Sequence, residues 1–510
     1  MIKKFKLYIM LVAVALSSVS CLDKMPEDGI PFDESLQTVS DINLAVIGIY
    51  DAFRSKYLYS GNLTLLPDIQ TDLVYGVNGN TNVYGDIWRW KEIKPTNTDI
   101  EAVYGALYDV INRCNFMLDR ADAVRKKTTD DKDLDKLDQC CGEAYFARAL
   151  AYSELVKLFC KAYESDEDAA GQLGVILSEH YLGDETMRRA SLKDSYLFIL
   201  DDLDRAAELL ELEEDFNTDT QGTLYDSIYF NEYTVHALRA RVLLYMKRWD
   251  EAIKYATKVI DSGYYYLSSC TRAATSSASY YKYMWTNDFS TEAIWKVGFT
   301  VNAYGGALGQ VFANYDYSTL RPDYVPATWA INLYDMNDLR VSAFFQSFTT
   351  GYSHGLTWPL LIKYFGNESF TNYNILHVSM PKVLRLSEQY LIRAEAYVQR
   401  DQPDYGKAGS DISVLRTARY SSYGGSTSLN KENAMDVIEQ ERVKELYMEG
   451  FRLHDLKRWH KGFERTPQDQ SLSNGSSLKV EKDDPLFVWP IPQHELDAPG
   501  SEVEPNESNK

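Results

Sequence analysis

The stretch from Glu441 to Trp459, ERVKELYMEGFRLHDLKRW, gathers the residue types from which acid–base or metal chemistry is built. Glu449, Arg452, Asp455 and Arg458 recur at every third position with alternating sign, and Glu441, Arg442 and Glu445 precede them. Acids in such numbers could supply a general acid, a general base or metal ligands. That chemistry would also ask for a histidine, cysteine or serine at a matching spacing. Only His454 and His460 are near, and no HExxH or comparable pattern is present. The three-residue period instead predicts ion pairs along one helix face, with Leu446, Leu453, Leu456 and Trp459 on the apolar side. We therefore read Glu441, Arg442, Glu445, Glu449, Arg452, Asp455 and Arg458 as structural ion pairs that fix one helical hairpin against another. No catalytic residue is assigned, and the chain is expected not to be an enzyme.

A different chemistry is suggested by tyrosine, of which there are 38 against 20 phenylalanines and 9 tryptophans. Tyrosine joins a flat apolar face to a hydroxyl, which suits wet recognition surfaces. A pyranose ring has a C–H-rich face and an equator of hydroxyls, so it asks for an aromatic platform ringed by amides, acids or guanidinium groups. Two loop regions offer that mixture. The first, DIQTDLVYGVNGNTNVYGDIWRWK, carries Asp72, Tyr75, Asn78, Asn80, Asn82, Tyr84 and Trp88. The second combines YYKYMWTNDFS with NAYGGALGQVFANYDYSTLRPDYVP and carries Tyr280, Trp285, Tyr304, Tyr315, Tyr317 and Arg321. These are the candidate ligand contacts.

The elements that must position them read as helices. Asp41 is a candidate cap for INLAVIGIYDAFRSKY, and Ser191 for LKDSYLFILDDLDRAAELL. YTVHALRARVLLYMKRWDEAIKYATKVIDSG has small residues at Ala240, Ala252 and Ala256, with Leu243, Trp249 and Tyr255 beside them. This is the tetratricopeptide pattern of two helices joined by a short turn. LSEQYLIRAEAYVQRDQPDYGKAGSDISVLRTAR repeats it near the C-terminus. The expected fold is mostly α, a tetratricopeptide-like scaffold of about four hairpins interrupted by a long loop-rich insertion. The boundaries are N-terminal hairpins over 41–263 with a ligand-facing loop near 68–91, the insertion over 264–380, and C-terminal hairpins and tail over 381–510, all as one globular unit. EAIWKVGF reads as a strand and PATWAINLYDMNDLRVSAFF as one or two short helices.

The N-terminus reads as an address. A basic start, MIKKFK, precedes thirteen apolar residues from Leu7 to Val19. That run is shorter than the roughly 20 residues a membrane span needs and suits a secretory signal. SSVSC then places Cys21 after small residues, a resemblance to a bacterial lipoprotein box. Residues 1–20 are read as the leader, Cys21 as the lipidated residue and 21–40 as a tether. The formal charge of −21 disfavours nucleic acid as a partner. Cys114, Cys140, Cys141, Cys160 and Cys270 show no CxxC or zinc spacing and are read as small apolar fillers.

Together these marks carry a family resemblance. ERVKELYMEGFRLHDLKRW closely resembles the ER..EL..EG.R..DL.RW signature of the RagB/SusD family. VLRLSEQYLIRAEAY resembles that family's R..E.YL..AEA helix, DMNDLR its nDpR turn and VWPIPQHEL its PIP..E segment. The resemblance implies a surface lipoprotein of the outer membrane, facing the cell exterior and held to the membrane by its lipid alone. It implies a SusC-like TonB-dependent transporter as partner, on which the protein sits as a lid, and oligosaccharide or polysaccharide as cargo. The same fold with peptide cargo, as in the RagB branch, is an alternative. A helical glycoside hydrolase using two carboxylates and an adaptor that binds only protein are others. No cofactor is implied, and a calcium ion supporting a loop stays an open question.

Overall fold

The computed structural model describes residues 31–181, 187–210, 227–316, 319–351, 357–467 and 477–510. Cys21, the leader and Tyr317 lie outside them. Helices dominate, and the strands among the described residues form short two-stranded antiparallel pairs.

The helical frame is set by caps and by the small residues seen in the sequence. The helix Val39–Ala52 is capped one turn earlier than expected. Thr38 Oγ1 accepts the Asp41 N–H at 3.2 Å, and Asp41 Oδ2 accepts the Thr38 N–H at 2.9 Å, so Asp41 closes a capping box instead of starting the helix. Asn97 caps the long helix Thr98–Arg125 and Asp130 caps Asp131–Phe159. Ser191 caps Leu192–Leu209, as its position predicts. Glu232–Tyr245 and Trp249–Ile260 form the hairpin of the clearest repeat, turning at Lys247 with φ 59°. Ala240, Ala252 and Ala256 are fully buried where those helices meet.

The next layer of the stack comes from far along the chain. Leu386–Gln399 packs against Trp249–Ile260 through Ile392 and Ala396, and Tyr405–Arg419 completes the second hairpin. The intervening segment is an insertion in sequence only, since its Ile294, Trp295 and Phe299 join the main helical core. Its own core holds Tyr281, Trp285, Phe312, Tyr324, Phe344 and Tyr364 against Leu65, Ile69 and Tyr447. EAIWKVGF supplies the strand Ala293–Lys296, and the expected short helices are Thr328–Ile331 and Arg340–Phe344. Cys114, Cys140, Cys141, Cys160 and Cys270 are buried and unbridged, and burial pushes the Cys140 thiol up to about 11.

The opening charged stretch departs from one expectation. It is two helices, Ala434–Glu445 and Arg452–Arg458, separated by a tight turn. Met448 has φ 59° and Gly450 φ 85°, a backbone a β-carbon would strain, and Gly450 packs against the Leu63 and Thr64 carbonyls. Asp68, from the helix Asn62–Ile69, accepts the Gly450 and Arg452 N–H groups at 2.9 and 2.8 Å and so caps the second helix from another element. Of the four alternating charges, only Asp455 and Arg458 pair along the helix, at 2.9 Å. The others reach across the fold.

Candidate functional site

The acids of the charged stretch are occupied. Glu441 meets Arg340 at 2.7 Å and Arg416 at 2.8 Å. Glu445 accepts from Arg340, Arg385 and Arg419 at 2.9–3.0 Å. Glu449 takes two bonds from Arg385, at 2.7 and 2.9 Å, and one from Lys363 at 2.5 Å. Glu292 joins Arg385 and Arg419 to the same lattice. Beside it, Arg442 pairs with Asp455 at 2.7 Å, and Arg458 holds Glu395 in a two-point pair. All of these side chains are buried except the partly exposed Arg416. Burial raises a carboxyl's pKa, yet Arg340, Lys444 and Arg416 draw Glu441 down to about 2. An acid locked as its anion among guanidinium groups is no proton donor. His454 is sealed in the core, where burial keeps its imidazole neutral. Among the described residues, no group of three or more His, Cys, Asp or Glu side chains is placed to hold a metal ion.

The loops divide the candidate ligand contacts into two sets. Asp72, Tyr75, Trp88 and Trp285 face inward, contrary to expectation. Asp72 forms a two-point pair with Arg452, at 2.9 and 3.0 Å, and is a member of the charge lattice. Tyr75 and Trp88 pack edge to face at 5.3 Å, and the Arg465 guanidinium lies 4.5 Å over the Trp88 ring. Trp285 is buried beneath Lys363, Lys382 and Arg385, with Lys363 Nζ 4.1 Å above its ring. Large aromatic surfaces gain from burial, and the Asp72 carboxylate is tolerated in the interior because Arg452 pairs with it at two points.

The outward set is Asn78, Asn80, Tyr304 and Arg321, whereas Tyr84 is partly buried and packs against both hydrophobic cores. The strand Val74–Gly76 pairs with Tyr324–Pro326. The loop beyond it is pinned by Thr81 N–H to Asp323 Oδ1 at 2.6 Å and by the Tyr324 hydroxyl to the Val83 carbonyl at 2.6 Å. Both loops also rest on the turn 54–62. Tyr84 donates its hydroxyl to Asn62 Oδ1 at 2.9 Å, and the Gly306 N–H donates to Ser60 Oγ at 2.8 Å. Burial pushes the Tyr84 hydroxyl up to about 12, so it stays protonated as a donor. Asn78 and Arg321 are exposed and Asn80 is half-buried. Tyr304 is 46% exposed beside a groove of about 530 Å³ between Asp51–Lys56, Asp109, Arg113 and Gly305–Gly306. Tyr315 stands on the strand Tyr315–Asp316, which pairs with Thr319–Leu320. Tyr280 sits apart, half-buried next to Arg272 at 5.5 Å.

The sequence reading missed the turn 54–62 as part of this face. Lys56 and Tyr57 are exposed there, with Lys56 Nζ 5.1 Å from the Tyr57 ring. The apolar spacing predicts helix through RSKY, whereas the helix ends at Ala52. The signal was the cluster Ser55, Ser60 and Gly61 around it.

Comparison with known proteins places this architecture. Residues 346–504 match a model described as the SusD family, and residues 23–224 match one described as starch-binding, associating with outer membrane. A curated relative, SusD-like protein P2 of Formosa agariphila, is 25% identical over 162 residues, a stretch spanning 31% of this chain and 30% of that protein. A SusD superfamily protein from Bacteroides thetaiotaomicron superposes with a TM-score of 0.75 at 23% identity, covering 92% of this chain and 99% of that one. A SusD-like carbohydrate binding protein from Bacteroides vulgatus gives 0.72 at 19% identity, covering 92% and 98%. Surface glycan-binding protein A from Bacteroides fluxus gives 0.67 at 19% identity, covering 92% and 100%.

Proposed function

Because this chain belongs to the SusD/RagB family, we propose that it is a non-catalytic surface lipoprotein that captures an oligosaccharide and hands it to a SusC-like TonB-dependent transporter. The lipid on Cys21 holds it to the outer membrane, facing the exterior. The observation that carries the reading is the division of labour in the structure. The conspicuous acids are consumed by buried arginines, while Asn78, Tyr304 and Arg321 on the loops and Lys56 and Tyr57 on the turn beneath them are left exposed. Two of its structural neighbours, a SusD-like carbohydrate binding protein and a surface glycan-binding protein, point to the same ligand class. Tyr304 and Tyr57 offer ring faces for C–H contacts, and Asn78, Asn80, Lys56 and Arg321 offer polar groups for hydroxyls.

The test is affinity-gel retardation of the chain lacking its leader and Cys21 against a panel of polysaccharides and mixed peptides, followed by titration calorimetry. Glycan binding that is lost in Tyr304→Ala or Lys56→Ala, with an unchanged melting temperature, supports capture at this face. Binding of peptides alone moves the cargo to the RagB-like alternative, and turnover of a bound glycan ends the non-catalytic reading.

A further inference from the structure

Three asparagines share the outward loop in three different settings. Asn80 Oδ1 accepts the Asn82 N–H at 2.9 Å. The residue after it, Thr81, is β-branched and donates its own N–H to Asp323. Asn82 Oδ1 accepts from Arg89 Nη1 at 2.7 Å and is followed by the β-branched Val83. Asn78 is exposed, and its amide makes no hydrogen bond among the described residues. It is followed by Gly79, whose N–H also donates to no described residue. Gly79 has φ 82°, and a β-carbon built on it meets nothing within 4 Å. Its N–H is thus held by no described acceptor, and it carries no side chain that would stand in the way.

That pairing has a defined reactivity. A backbone nitrogen that has lost its proton attacks the preceding asparagine's Cγ. A five-membered succinimide closes, the Cγ–Nδ2 bond breaks, and ammonia leaves with the proton it needs. Water then opens the ring at either carbonyl and gives aspartate or isoaspartate. Nothing is oxidised or reduced, and water is the one co-reactant. A branched side chain on the following residue obstructs the attack, and a hydrogen bond holding either group opposes it. Both obstacles are present at Asn80 and at Asn82, and both are absent at Asn78.

We propose that Asn78 is a self-modification site, at which the native loop converts its own amide to a carboxylate through the Gly79 nitrogen. Aspartate replaces a donor and acceptor by an acceptor-only anion. Isoaspartate also adds a methylene to the main chain of a turn closed by the Asn80 N–H on the Val77 carbonyl at 3.2 Å. If the loop is the glycan-binding face, a consequence that rests on the function proposed above, the modified protein captures its ligand more weakly.

The experiment incubates the purified chain at mildly alkaline and mildly acidic pH, beside a urea-unfolded sample. Conversion is read by peptide mass mapping and by enzymatic methylation of isoaspartate. The expected result is loss of the Asn78 amide in the folded chain, faster at alkaline pH, while Asn80 and Asn82 keep theirs. Asn78→Gln removes the isoaspartate signal from this loop, and Gly79→Val slows the loss of the amide. Conversion in the unfolded sample with Asn78 intact in the folded one would overturn the proposal, as would equal conversion at Asn80 and Asn82. Unmodified and modified fractions, separated by charge, are then titrated with whichever polysaccharide of the panel retards the chain. Equal affinity overturns the consequence for capture. Absence of binding in both fractions counts against the glycan reading alone, because the mass result decides the modification by itself.

Discussion

As sequence, the charged C-terminal helices and the Asn- and Tyr-bearing loops both look like places for chemistry, yet the first turns its polar groups inward and the second outward. Asp72 and Asn78 show the boundary within one loop. Asp72 is buried in a two-point pair with Arg452, whereas Asn78 faces solvent. The lesson is that density of charge marks the frame of this protein, while candidate contacts that stay exposed, such as Asn78 and Tyr304, stand outside the buried charge lattice. A charge enters the interior only when it is matched and hydrogen-bonded, so the most conspicuous residues are the most fully committed ones.

Breaking the lattice should have the largest effect. Glu445→Ala leaves Arg340, Arg385 and Arg419 each short of a partner. Loss of one member of a buried pair costs about 3–5 kcal/mol, so urea unfolding should shift far to lower denaturant or the chain should fail to fold. Arg452→Ala should behave similarly through Asp72 and Glu439. Retained stability with selective loss of ligand would reverse the assignment of the two regions.

Trp88→Ala sharpens the same contrast from the aromatic side. The ring is buried against Tyr75 and Arg465, and removal of such a side chain costs about 3–5 kcal/mol. A melting curve should show the loss, and any fall in binding should follow stability. Unchanged stability with lost binding would return Trp88 to the ligand face.

The pH dependence separates two kinds of buried acid. Burial pushes Asp68 up to about 7 against the opposing pull of the Gly450 and Arg452 N–H groups. A carboxyl whose folded pKa lies above its unfolded value of about 3.8 contributes stability at low pH that is lost as pH rises through 7. Glu441, lowered to about 2, contributes stability above 4.5 that is lost as pH falls toward 2. Asp68→Asn should therefore flatten the decline between about pH 4 and 7, read by chemical denaturation across pH. A decline unchanged in that variant would assign it to other groups.

The smallest effects on stability belong to the outward face. Tyr304→Ala and Lys56→Ala should each move unfolding by no more than about 0.5 kcal/mol, while calorimetry with a bound glycan shows weakened or abolished binding. Large destabilisation by either would make that face part of the frame.

Much of the frame was legible because helices announce themselves locally. Small residues at Ala240, Ala252 and Ala256, the cap at Ser191, and the repeat around Ala394 all depend on neighbours a few residues away. The candidate site was legible only in part. Asn78, Asn80 and Tyr84 stand in a stretch whose glycines and amides signal a turn. Trp88, Tyr75 and Trp285 have the same composition as ligand platforms, and nothing in their spacing says that Arg465 or Lys363 lies over their rings. Lys56 and Tyr57 went unseen because the helix before them ends without a proline or glycine at its boundary.

By itself, the sequence determined the helical frame, the family signature and the fact that its alternating charges must find partners. These follow from local periodicity and from the cost of an unpaired charge. Tertiary structure alone decided who the partners are. It broke the charged stretch into two helices at Met448–Gly450, sent Arg452 to Asp72, and sank Trp88 and Trp285 beneath cations. It also left the Asn78 amide exposed and the Gly79 N–H without a described acceptor. Those choices depend on which distant segments the packed core brings within a few ångströms, and sequence spacing carries no record of that distance.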